Sequence, residues 1–133
     1  MSAGLVTVLV LLVLLQIKHL FADFFMQTPK MLTGRSTYIH MGRAQHAAIH
    51  AAGSVLVFLI VGAPLPFIAI VVLLEWVVHF HIDWCKAAYS EMKGHTPQMP
   101  AFWHAMGVDQ ALHHLTYVAM TATWVLFGTP AAG

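Results

Sequence analysis

The residues able to do chemistry in this 133-residue chain come in groups spaced four apart. His19 and Asp23 form one group, and His46 and His50, in "QHAAIH", another. Glu75, His79 and Asp83 extend the spacing over two steps in "EWVVHFHID", and Asp109 and His113 repeat it in "DQALHH". Side chains four apart stack on one face of a helix, so each stretch predicts a narrow stripe of imidazole and carboxylate. Those two donor types, without thiolate, suit zinc, iron or manganese. The candidate metal ligands are therefore His19, Asp23, His46, His50, Glu75, His79, Asp83, Asp109 and His113. A catalytic zinc takes three protein ligands and one open position. Nine groups fit two divalent ions better, zinc first, sharing carboxylates while the surplus residues orient the imidazoles. Such ions make water nucleophilic near neutral pH, and Asp109 or Glu75 is the expected general base wherever it is not a ligand.

Other polar residues frame these stripes. Gln16 and Gln27 extend the first, and Gln110, His114 and Tyr117 stand beside the last. Tyr117 is expected to donate a hydrogen bond into the site or to satisfy its hydroxyl there. Arg43 and Lys86 lie a turn beyond the ligand layer. They read as a cationic clamp for a phosphate or carboxylate, or as side chains snorkelling to headgroups. The single Cys85 excludes an intrachain disulfide and a cysteine-based zinc site. It falls behind the third stripe, as does His81, while His40, His95 and His104 fall in or next to connections.

Stripes of this kind need helices, and the composition says where those helices lie. Hydrophobic residues make up 59% of the chain and charged ones 8%, with a mean hydropathy of +0.77; soluble domains carry about 25% charged residues. Near-balanced charge gives no nucleic-acid footprint. Four apolar segments, about 4–25, 44–62, 66–88 and 107–127, are each long enough to span about 30 Å of hydrocarbon. The expected fold is an all-α integral membrane protein, a four-transmembrane-helix bundle forming one domain over residues 1–133. The first segment has no basic n-region and no small-x-small cleavage site, so it reads as a retained helix rather than a signal peptide. Lys30, Arg35, Arg43 and Lys93 all fall in the first and third connections, roughly 28–43 and 89–106. The positive-inside rule puts both connections in the cytoplasm and both termini outside. All four stripes then sit at one depth, in the cytoplasmic half of the bundle.

The ordered set "QIKHLFADFFMQTPKM", "QHAAIH", "EWVVHFHIDWCK" and "DQALHHLTY" resembles the bacterial inner-membrane family catalogued as domain of unknown function 3307. That resemblance covers nearly the whole chain and implies a multi-pass protein of the bacterial inner (cytoplasmic) membrane, with no reaction attached. A weaker analogy, of residue types only, is to membrane-bound metal-dependent hydrolases. The His-x3-His form in "HAAIH" is also similar to motifs of membrane desaturases and hydroxylases, which hold two irons. The leading expectation is a dinuclear hydrolase acting on a lipid-like or phosphate-bearing amphiphile, since hydrolysis needs no electron donor. A di-iron oxidase or hydroxylase comes second. A proton or divalent-cation transporter and a non-catalytic subunit with a purely structural polar clasp are the other classes. A homo-oligomer is compatible with all of them.

Overall fold

The computed structural model describes residues 3–128. Among these there is no strand, and four long helices carry the structure: α1 (Ala3–Phe24), α3 (Met41–Ile60), α4 (Leu65–Met92) and α5 (Pro100–Thr123). A short α2 (Pro29–Leu32) interrupts the first connection, and a π-helical turn, Trp124–Gly128, continues α5. Proline stands in the first turn of α2, α4 and α5. The missing N–H costs nothing there, and the fixed φ favours the helix. Gly62 and Gly94, at φ of 75° and 62°, provide the left-handed residues that end α3 and α4.

The helices outrun the apolar spans. The fourth begins at Pro100 rather than near residue 107, and α4 runs on to Met92, so the third connection shrinks to residues 93–99. Hydropathy marks only the greasy part of a helix, while Pro100 sets where this one starts. α1 packs on α3 and α5, and α4 on the same two helices, so the order around the bundle is α1, α3, α4, α5 with neighbours antiparallel.

The bundle is apolar outside and divided inside. Near the α3–α4 turn the core is hydrocarbon: Leu11, Leu15, Phe58, Ile68, Val72 and Trp124 are all buried. The other half buries His19, His46, His50, Glu75, His79, Asp83, Asp109 and His113. The outward faces carry exposed Leu56 (63%), Ile60 (68%), Leu73 (63%) and Leu115 (62%). Two helices, Gly4–Phe24 and Leu65–Met92, are long and apolar enough to cross a membrane. The chain ends predicted outside, residues 1–2 and 129–133, lie outside the described residues.

The first connection is a fixed structure laid over the polar end of α3 and α4. His40 caps α3, its Nδ1 accepting the Arg43 N–H at 2.9 Å. Trp84 Nε1 donates to the Ser36 carbonyl at 3.0 Å, and the Tyr38 hydroxyl meets His81 Nε2 at 3.0 Å. Arg43 lies at the centre, completely buried, its guanidinium donating to the carbonyls of Arg35, Thr37 and Tyr38 and lying over the Phe80 ring. The sequence reading of Arg43 as a headgroup-level cation or substrate clamp is corrected here: it is buried, and both of its terminal nitrogens hold the connection.

Candidate metal centre

Each long helix delivers its stripe to one place. Asp23 comes from α1, His46 and His50 from α3, His79 and Asp83 from α4, and His113 from α5. Two sets have ligand atoms all within 4.8 Å of one another: Asp23, His46, His50 and His79, and then His79, Asp83 and His113. His79 belongs to both. The imidazoles lie close together, with ring centroids 4.0 Å apart for the tilted pair His50 and His79 and 4.2 Å for the edge-on pair His79 and His113.

The hydrogen bonds around the cluster show which of its atoms are committed elsewhere. His113 donates Nδ1–H to the Asp109 carbonyl at 2.8 Å, so its Nε2 is bare. That lone pair faces Asp83 Oδ1 at 3.7 Å. A second chain of bonds fixes His50. Gln110 Nε2 donates to Asp23 Oδ2 at 3.2 Å, which turns Gln110 Oε1 towards His19 Nε2 at 3.0 Å and requires a proton on that nitrogen. His19 Nδ1 then accepts the Tyr117 hydroxyl proton at 2.9 Å. The Tyr117 oxygen also lies 3.3 Å from His50 Nδ1. His50 Nε2 lies 2.9 Å from Asp23 Oδ1, within hydrogen-bond distance. At both places an imidazole nitrogen faces a carboxylate oxygen, an arrangement that a proton on the nitrogen or a cation between the two atoms makes favourable. His79 is 2% exposed, yet neither of its ring nitrogens has a hydrogen-bond partner.

The spacings fit a metal. Two ligand atoms about 2.1 Å from a tetrahedral ion lie about 3.4 Å apart. Asp23 Oδ1 is 3.1 Å from His46 Nε2, and Asp83 Oδ2 is 3.6 Å from His79 Nε2 and 3.8 Å from His46 Nε2. His19, Glu75 and Asp109, counted among the nine candidates, stand outside both sets. His19 spends both nitrogens on Tyr117 and Gln110. Glu75 lies two turns along α4 from Asp83 and pairs with Lys18 at 2.5 Å. Asp109 is 7% exposed with Oδ1 buried and unpartnered. Tyr117, 1% exposed, is inside the network, and Cys85 is exposed and apart from it.

A pocket of about 280 Å³ opens onto these carboxylates from the side of the first and third connections. Asp23, Asp83 and Asp109 lie on its wall with Gln27, Gln110, Arg35 and Lys86, and Phe24, Leu32, Phe102 and Met106 complete the lining. Arg35 and Lys18 are the residues that the sequence stripes did not include. Arg35 Nη2 donates to Asp83 Oδ2 at 2.6 Å, reaching down from the braced connection. Lys18 reaches Glu75 by laying its stem across Gly53, where even a methyl group would collide with it. A Glu75 carboxylate deep in an apolar helix is itself the signal that a buried cation must exist.

Residues 10–131 match the model of a family described as protein of unknown function (DUF3307), and the chain belongs to that family. No curated protein and no solved structure matches the chain.

Proposed function

We propose that this DUF3307 protein is a multi-pass inner-membrane metalloenzyme, a hydrolase whose bundle holds one or two divalent ions, zinc first among them, in the His/Asp cluster. The observation that carries the reading is the convergence of ligand atoms from Asp23, His46, His50, His79, Asp83 and His113, drawn from all four long helices, with both ring nitrogens of His79 and Nε2 of His113 buried and unpartnered. Membrane insertion of all four accounts for polarity that points inward and leucine that points outward. The hydrocarbon core beyond Glu75 favours a pocket closed at its inner end over a path for ions across the bundle. Hydrolysis is preferred over oxygen chemistry because it requires no electron donor.

Ions held there would supply Lewis acidity and lower the pKa of water. The chain's own residues supply the rest. Asp109 shares the pocket with Asp23 and Asp83, has a free carboxylate oxygen, and takes the proton from the attacking water. The new oxygen bond forms as the ester bond breaks, and Asp109 returns the proton to the departing oxygen. Gln110, donating to Asp23, and Tyr117, against His50 Nδ1, orient these two ligands.

Elemental analysis of the detergent-purified chain tests the reading. One to two equivalents of zinc, manganese or iron are expected, lost in His79→Ala and kept in Glu75→Gln. Asp109→Asn should keep the metal and lose hydrolysis of p-nitrophenyl phosphate or ester probes by about 10²–10⁴-fold. A folded protein that takes up no metal on reconstitution would sink the proposal.

A further inference from the structure

Two cations line the pocket: Lys86, and Arg35, which is paired with Asp83. Arg35 gives one N–H to Asp83, but its Nε is buried without a hydrogen-bond partner. Lys86 forms no salt bridge among the described residues, and its ammonium lies 5.6 Å from the centre of the Phe102 ring. Both side chains line the pocket that reaches Asp23, Asp83 and Asp109. Formal charge decides what that pocket accepts. Three carboxylates against two cations leave it one negative charge, and a single divalent ion reverses the sign. A loaded centre therefore attracts an anion that the same pocket repels when bare. Arg35 is held in place from behind, since Arg43 binds its carbonyl and Trp84 binds that of Ser36.

We infer that Arg35 and Lys86 form an anion clamp, and that the group bound over the metal centre is a phosphate monoester dianion. This inference rests on the metal reading and names the substrate class for it. Planar guanidinium matches two phosphate oxygens, whereas the lysine contributes a point charge from the other side. The exposed Phe24 (68%) and Leu32 (49%) at the pocket give an attached apolar tail a place to lie.

The test is calorimetric titration of the zinc-loaded, detergent-purified full chain with inorganic phosphate and with dihexanoyl phosphatidic acid, using dihexanoyl phosphatidylcholine as the control. Both dianions should bind, only when zinc is present, and the choline lipid should not. Lys86→Gln, which touches none of the six ligands, and Arg35→Gln should each weaken binding about tenfold or more at unchanged zinc content. Where Arg35→Gln disturbs zinc, Lys86→Gln alone decides. Tighter binding of the tailed phosphate assigns the clamp to a membrane lipid, and equal affinities assign it to a soluble phosphate. Binding unchanged in Lys86→Gln, or absent with zinc intact, overturns the clamp and leaves the metal centre standing. A chain that takes up no zinc overturns both.

Discussion

Tyr117 has one proton to give, and the network directs it to His19. The phenol oxygen is then free to accept from His50 Nδ1, 3.3 Å away, and a proton on that nitrogen would leave His50 Nε2 open to a metal. Tyr117→Phe keeps the buried ring and removes the relay. Metal affinity is expected to fall about 10–100-fold, as it does when partners of ligating residues are lost, with thermal stability changing much less. Competition against a chromophoric chelator measures it, and an unchanged affinity would mean that His50 takes its tautomer from elsewhere. At this scale the i, i+4 spacing makes the stripes legible in the sequence itself. It does not say which stripe residues are ligands. His19 and Asp109 share the period of Asp23 and His113, and only the facing partners, Tyr117, Gln110 and the pocket, separate their roles. Lys18 escapes for a different reason: it lies to the side of the His19 stripe, and a glycine on another helix lets it in.

Among the elements, the first connection has the largest consequences and the weakest sequence signal. Helices announce themselves through periodicity, which is why four are expected where four long ones are found. Residues 25–40 have no period, so neither α2 nor the descent of Arg35 onto Asp83 is legible. The seat of that connection is Gly42. A methyl group there would collide with the Lys30 carbonyl and come within 2.9 Å of Met31 Cα, both backbone atoms of α2. Gly42→Ala must therefore push α2 off α3 and is expected to cost about 1–3 kcal/mol. Lower thermal stability in detergent and weaker phosphate binding should appear together. Gly107→Ala is the control: it lies exposed in α5 with nothing within 4 Å of the added carbon. It should be neutral or stabilising, by up to about 1 kcal/mol. Equal behaviour of the two variants would sever α2 packing from the site.

For the whole molecule the question is which way the pocket faces. Of the four cations that set the expected orientation, Arg43 is buried under the first connection and Arg35 is tied to Asp83. Lys30 and Lys93 remain exposed, one on each connection beside the pocket, while the α3–α4 turn has no charged residue. The positive-inside rule counts such residues near helix ends, so both connections and the pocket mouth are expected to face the cytoplasm. The metal centre would then draw ions and release products on that side. Single cysteines in a Cys85→Ala background test this at exposed positions: Thr37 on the first connection, Glu91 near the end of α4, and Leu65 at the start of α4. A membrane-impermeant maleimide should label Leu65→Cys on intact cells and reach Thr37→Cys and Glu91→Cys only after permeabilisation. The reverse pattern would turn the pocket outward, and free labelling of all three would remove the membrane from the account. Thr37 and Glu91 must also agree with each other, because two antiparallel helices, α3 and α4, separate the two connections. Disagreement would mean that one of those two does not cross, and that the inward-facing histidines of α3 owe their burial to something other than a bilayer.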